Sequence, residues 1–408
     1  MNILAIETSC DETSLAILSA IETENGTDFV VYAHNTLSQI DIHAQYGGVF
    51  PNLAKREHAK NLVPLLEVTL REAKMYKQTF DITKEEIGSD ISCRLQENNE
   101  ILKKLLEHEP ELYEVLMVFL PTIRKPNIDM IVVTHGPGLE PALWVGVNFA
   151  QALSFVWNIP VIPVNHMEGH IVSASIHGNN FSIDKSKKIF PMLALLISGG
   201  HTELVITHAW GEYEKIGQTL DDAVGEAYDK VARLLGLPYP GGPKISQLAE
   251  TYFYSLPEVR KYDKKIQFFP RPMIKSDNYD FSFSGLKSAV RRYVETTHPD
   301  LLNREQVAYE FQEAVTDVLV EKTRKALKNY NIPTLAIAGG VAANKRIRSA
   351  CESLIKEEFH NTNIMIADMS LTGDNALMIG VAGYLSFLAK KSNLKNDSPL
   401  LANGNLSL

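Results

Sequence analysis

One pattern occurs twice, and it limits the possible folds more than any other feature of the chain. An apolar run, Ile3-Leu4-Ala5-Ile6, enters a tip rich in hydroxyls and acids, Glu7-Thr8-Ser9-Cys10-Asp11-Glu12-Thr13, and leaves through a second run, Ser14-Leu15-Ala16-Ile17-Leu18. Far downstream, Met192-Leu193-Ala194-Leu195-Leu196-Ile197 enters Ser198-Gly199-Gly200-His201-Thr202 and leaves through Glu203-Leu204-Val205-Ile206. Two apolar runs around a short polar turn read as a β-hairpin. A hairpin repeated in each half of a 408-residue chain implies a duplicated α/β unit. The two tips then face each other across a cleft, where backbone N–H groups and hydroxyls suit a phosphate.

The intervening sequence supplies the other elements of such units. Leu62, Leu65, Leu66 and Leu70 share one face of a helix within residues 61–74. Asp129-Met130-Ile131-Val132-Val133-Thr134 reads as a buried strand ending in the turn His135-Gly136-Pro137-Gly138-Leu139, which opens a helix. Thr334-Leu335-Ala336-Ile337-Ala338 behaves alike, ending in Gly339-Gly340-Val341-Ala342-Ala343-Asn344. Residues 78–127 break the rhythm. Ile101, Leu102, Leu105, Leu106, Leu112, Val115, Leu116 and Phe119 predict two helices parted near Pro110, and residues 81–114 carry ten acids against four bases. This is read as an acidic helical insertion on the surface of the first half, outside the cleft. Residues 402–408 are expected to fray.

A net charge of −9, of which −6 lies in residues 81–114, argues against a general coat for polyanions. A local exception is residues 260–275, where Arg260, Lys261, Lys264, Lys265, Arg271 and Lys275 interleave with Tyr262, Phe268 and Phe269, a pattern able to track phosphates and stack on bases. No apolar run approaches the ~20 residues that span a bilayer, and the first residues enter a strand directly. A cytoplasmic protein without membrane contact is expected. Cys10, Cys93 and Cys351 are too far apart for a metal pair and are expected to be free thiols.

His166-Met167-Glu168-Gly169-His170 resembles the zinc-protease motif only superficially, because there the glutamate directly follows the first histidine. An i, i+4 pair does place two imidazoles on one helical face, as in many metal sites. It equally fits a surface histidine beside a buried one. Thr372-Gly373-Asp374-Asn375, just before an apolar helix, reads as a cap or as a further carboxylate ligand.

Ten stretches in order carry a family resemblance. They include residues 6–13, Gly47-Gly48-Val49-Phe50-Pro51-Asn52-Leu53-Ala54, residues 135–139, 166–170, 198–202, 221–230, 239–243 and 280–287, and they end with 339–344 and 372–375. Together they resemble the TsaD branch of the tRNA threonylcarbamoyladenosine transferases, of bacterial type. The resemblance implies an α/β, two-lobed actin-like (ASKHA) fold with duplicated ribonuclease H-like halves. The first lobe would span 1–164, with the insertion at 78–127, the second 165–379, and a return helix and tail 380–408. It implies transfer of threonylcarbamoyl from threonylcarbamoyl-AMP to N6 of the adenosine 3′ of the anticodon, in tRNAs that read codons beginning with A.

The resemblance further implies that His166, His170 and Asp374 hold one divalent ion, iron or zinc. Leu196, Ile197, Ser198, Gly199, Gly200, Asp229, Gly242 and Asn344 would bind the adenylate. Glycines permit close approach to phosphate, Asp229 accepts from ribose hydroxyls, and Asn344 offers a donor and an acceptor to the nucleoside. Asp11 and Glu12, at the first tip, are candidate proton acceptors. Archaeal and eukaryotic relatives carry a tyrosine metal ligand at the place of Leu196, so leucine there leaves a metal position open. Implied partners are tRNA and either TsaB-like and TsaE-like proteins or a second copy of the chain. Two other readings stand beside this one: an ATP-dependent kinase or ATPase of the same fold, and a non-catalytic scaffold of a tRNA-modification complex. A kinase has no use for a His/His/Asp set, since Mg²⁺ prefers oxygen ligands.

Overall fold

The computed structural model describes residues 1–78, 94–95, 97–184, 188–257, 268–389 and 400–408. The first tip joins β1 (Asn2–Glu7) to β2 (Glu12–Thr23), and β3 (Gly26–Ser38) extends the antiparallel run. Four helices follow: α1 (Ile40–Ala44), α2 (Pro51–Glu72), α3 (Asn99–Leu105) and α4 (Pro110–Phe119). Next come β4 (Met130–Gly136), α5 (Glu140–Trp157), β5 (Val161–Asn165), α6 (His166–Ser173) and β6 (Asn180–Asp184). The sheet order is β5-β4-β1-β2-β3-β6, with β4 parallel to both β1 and β5. Residues Met130, Ile131, Val132 and Val133 are all fully buried, as a parallel strand covered on both faces requires.

The second half repeats the scheme. β7 (Met192–Ile197), β8 (Thr202–Ala209) and β9 (Glu212–Gln218) lead into α7 (Val224–Leu234), α8 (Gly241–Ser255), α9 (Ser284–Thr296) and α10 (Arg304–Tyr330). β10 (Thr334–Ala338), α11 (Lys345–Glu358), β11 (Asn363–Ile366) and α12 (Ala376–Ala389) complete it. The order β11-β10-β7-β8-β9 matches β5-β4-β1-β2-β3 strand for strand. Duplicated ribonuclease H-like halves in this order make the two-lobed actin-like fold.

Several details depart from the sequence reading. β6 lies beyond residue 164 yet pairs with β3, so the first sheet takes a strand from after the expected boundary. The return helix starts at Ala376, before the expected 380, and docks on the first sheet through glycines. A Cβ at Gly380 would lie 2.5 Å from Leu18 Cδ2, and one at Gly383 would lie 2.6 Å from Val132 Cγ1. The tail does not fray where it is described. Asn403 N donates to His135 O at 2.8 Å, Gly138 N to Gly404 O at 3.1 Å and Asn165 Nδ2 to Ser407 O at 3.1 Å.

The insertion forms two helices, with Pro110 opening the second, but it is not simply a surface element. Leu102, Leu106, Leu112 and Leu116 share one core with Leu66 of α2 and Phe149 of α5. Residues 79–93 and 96 of that stretch lie outside the described residues. Cys10 and Cys351 are free, and Cys93 lies outside the described residues. Among the described residues no helix is long and apolar enough to cross a membrane.

Candidate metal centre and nucleotide cleft

β5 runs directly into α6, and Asn165 caps the junction by accepting from Met167 N at 2.9 Å. One turn of α6 then sets the rings of His166 and His170 with centroids 4.6 Å apart. Gly169 between them weakens the turn but permits contact with α12, since a Cβ there would stand 2.8 Å from Ile379 Cδ1. That contact brings the start of α12 against the histidines. Asn375 does the capping, accepting from Met378 N at 3.0 Å and donating to Gly373 O at 2.8 Å. Asp374 is therefore free to face the imidazoles, with its Oδ1 3.3 Å from Nε2 of both His166 and His170.

The three residues offer ligand atoms that all lie within 4.8 Å of one another. His170 is fully buried; among the described residues its Nδ1 has no partner, and its Nε2 meets Asp374 Oδ1 without hydrogen-bond geometry. Burial, with the charge of His166 beside it, lowers its pKa against the opposing pull of Asp374. Orphaned, neutral imidazole nitrogens beside a carboxylate fit a divalent cation of the borderline class.

Glu7 completes the arrangement, and sequence reasoning gave it no role. Fully buried at the end of β1, it accepts from Ser9 N and Thr134 Oγ1, both at 2.5 Å, and pairs with His166 Nδ1 at 3.1 Å. A proton on Nδ1 would leave the Nε2 lone pair for an ion held between it and Asp374, the orientation that a carboxylate behind a ligand histidine imposes. An acid closing an otherwise apolar, buried strand was the signal available in the sequence.

Charge is crowded here. Burial raises the pKa of Asp374, but His166 and the contacts with both imidazoles outweigh it and hold the carboxyl well below the usual range. His166 is correspondingly held well above the usual imidazole range, because Asp374 and Glu7 outweigh its burial. At the tip, burial and then Asp374 push Glu12 up to about 10. Burial also raises Asp11, whose Oδ2 is enclosed without a partner. Asp11 and Glu12 thus sit in the same electrostatic field as the three candidate ligands.

Gly199, Asp229, Gly242 and Asn344 line one cleft of ≈ 1480 Å³ in the second lobe. Cβ positions at Gly199 and Gly242 meet nothing within 4 Å, so the backbone there is open. Gly200, equally open, and Ser198 belong to the same tip but do not form the cleft wall. Asp229 Oδ1 accepts from Gly241 N at 2.7 Å and fixes the start of α8. Leu196 and Ile197 are fully buried and belong to different apolar clusters, so only their backbone is available to a ligand.

Asn344 differs from expectation. Its Oδ1 accepts from Arg346 N at 2.9 Å and Ile347 N at 3.2 Å, while Nδ2 donates to Gln312 Oε1 at 2.8 Å and Ser246 Oγ at 2.9 Å. Its hydrogen-bonding capacity is spent on capping α11 and tying it to α8 and α10.

In the basic segment Lys275 and Phe268 are exposed, but Arg271 is already engaged. Arg271 Nε donates to Asp317 Oδ2 at 3.0 Å and Nη1 to Phe269 O at 2.7 Å, and Phe269 is buried, so both are interior residues. Residues 258–267, with Arg260, Lys261, Lys264 and Lys265, lie outside the described residues.

Comparison with known proteins places this geometry in context. A family model described as TsaD, tRNA N6-adenosine threonylcarbamoyltransferase, matches residues 30–83 and 108–381. The unmatched stretch, 84–107, is narrower than the expected insertion and excludes α4. A protein of that name from Staphylococcus epidermidis is 37% identical over 408 residues, covering 100% of this chain and 97% of its own. One from Halalkalibacterium halodurans is 40% identical over 390 residues, covering 94% and 91% respectively. Among solved structures, a ROK hexokinase from Thermus thermophilus superposes with a TM-score of 0.41 and 10% identity, over 95% of this chain and 100% of that one.

Proposed function

Because the chain belongs to the TsaD family of tRNA N6-adenosine threonylcarbamoyltransferases, we propose that it transfers threonylcarbamoyl from threonylcarbamoyl-AMP to N6 of the adenosine 3′ of the anticodon, in tRNAs reading codons that begin with A. The observation that carries this reading is the buried His166–His170–Asp374 cluster, with its orphaned imidazole nitrogens, beside the acidic first tip. A kinase of this fold would leave that cluster without work.

His166 Nε2, His170 Nε2 and Asp374 would hold a divalent iron or zinc ion, which when bound supplies polarisation of the carbamoyl carbonyl and neutralises the surrounding carboxylates. Glu7 keeps His166 in the tautomer this requires. Gly199 and Gly242 admit the phosphate and nucleoside, and Asp229 accepts from the ribose through the oxygen that does not hold α8. Asn344 braces the cleft walls. In the transfer, a bond forms between N6 and the carbamoyl carbon, and the bond from that carbon to the AMP phosphate oxygen breaks. The proton leaving N6 passes to Asp11 or Glu12, which the charge of a bound cation would keep ionised against the burial and the neighbouring carboxylates that raise both. The amine is a weak nucleophile, so positioning carries much of the rate.

The test is incubation with labelled threonylcarbamoyl-AMP, unmodified tRNA and TsaB-like and TsaE-like partner proteins, followed by nucleoside analysis of the digested tRNA. Label in N6-threonylcarbamoyladenosine is expected. Release of AMP with no modified nucleoside, with or without partners, would sink the reading.

A further inference from the structure

The stretch around residues 43–58 carries two buried histidines that the reaction above does not use. His43 and His58 are fully buried and Gln39 nearly so. Their hydrogen bonds admit only one assignment of protons. A carbonyl only accepts, so His58 Nε2 donates to Cys10 O at 2.9 Å. Its Nδ1 is then the acceptor for Thr13 Oγ1 at 2.7 Å and Gln39 Nε2 at 3.3 Å. Gln39 Oε1 in turn accepts from His43 Nε2 at 3.1 Å, which leaves His43 Nδ1 to accept from Phe50 N at 3.3 Å. Every donor has an acceptor, and all the bonds point the same way, from residue 50 to the carbonyl of Cys10.

This chain of bonds reaches two functional regions. At one end it grips the acidic tip, because His58 holds the carbonyl of Cys10 while Gln39 N donates to Asp11 O at 2.9 Å. At the other it meets the turn at residues 46–50, whose Gly47 carbonyl accepts from Arg233 of α7, one helical turn beyond Asp229. An apolar filling would pack this interior at less risk. A fully satisfied polar network instead selects one arrangement, since any displacement strands a buried donor or acceptor.

We propose that Gln39, His43 and His58 are positioning residues that hold the Cys10–Asp11–Glu12 tip in register with the turn that touches the second lobe. The proposal rests on the reading of Asp11 and Glu12 as proton acceptors given above. None of the three touches substrate; they act through the backbone of the tip.

Amide hydrogen exchange at residues 9–13, read together with single-turnover transfer, tests this on the full chain. His58→Leu removes both ends of the link and is expected to speed exchange there at least tenfold. A tip misplaced by an ångström lowers the transfer rate on the order of 10²-fold, while metal content and the KM for threonylcarbamoyl-AMP stay within twofold. His58→Gln, which retains a donor of the same reach, is expected to recover most of both. Gln39→Met breaks the chain while sparing the His58–Cys10 bond, and keeps the test decisive should His58→Leu not fold. Unchanged exchange in both variants, or a rate loss that His58→Gln does not recover, overturns the proposal. Undiminished transfer by Asp11→Asn and Glu12→Gln would overturn the catalytic reading of the tip alone, and the exchange rates would still decide the relay.

Discussion

Burial drives the His58 imidazole down to about 4, so in the native protein it is neutral at physiological pH. An unfolded histidine titrates near 6.5. Because the folded pKa is the lower one, the stability that His58 contributes is complete above about pH 6.5 and is lost as pH falls towards 4. Between pH 7 and pH 5 the loss is about 2 kcal/mol. Urea unfolding at those two pH values should show that difference shrink in His58→Gln; an unchanged pH dependence contradicts it. At this scale the sequence marked the two histidines as a candidate pair through their spacing, and Asp374 as a candidate ligand through its family pattern. It could not show that the polar groups of Asn344 and Arg271 are already engaged by partners 32 and 46 residues away. It left Glu7 silent because its three partners come from three separate segments. Removing the cap and cross-links of Asn344 with Asn344→Ala should cost about 1–2 kcal/mol and raise the KM for the adenylate through loosened cleft walls. Equal stability and KM would contradict that role.

Elements were legible where period and length agree. Both hairpins and the helix on either side of Pro110 follow from pattern alone, because two apolar runs about a polar tip have few other ways to bury themselves. What the pattern could not supply is partnership between elements: that β6 joins the first sheet, or that the insertion's apolar face completes the core around α2 and α5. α12 illustrates how packing overrides propensity. Helix propensity alone predicts that Gly383→Ala stabilises by about 1 kcal/mol. A Cβ there would stand 2.6 Å from Val132 Cγ1 and 3.0 Å from Val164 Cγ2, both on the sheet the helix covers. Overpacking of this kind costs about 1–3 kcal/mol, so a net loss is expected by thermal or chemical unfolding. A more stable alanine variant would show that the helix can move away from the sheet.

At the scale of the molecule, the two lobes meet where α6 and α12 cross; two candidate ligands come from α6 and the third, Asp374, from the turn that leads into α12. The described tail adds a second tie. Leu400 O accepts from Gln151 Nε2 of the first lobe at 3.2 Å, and Ser407 Oγ accepts from Lys215 Nζ of β9 at 3.3 Å. Deleting residues 400–408 should lower the unfolding temperature; no change would mean the tie carries no weight. The central claim is that His166, His170 and Asp374 form the metal centre on which transfer depends, and metal content measured beside transfer activity tests it most directly. The account predicts about one iron or zinc per chain, and metal and transfer lost together in His166→Ala, His170→Ala and Asp374→Ala, because two remaining ligands leave the ion under-coordinated. Full metal content in those variants, or undiminished transfer by protein stripped of metal, would contradict it.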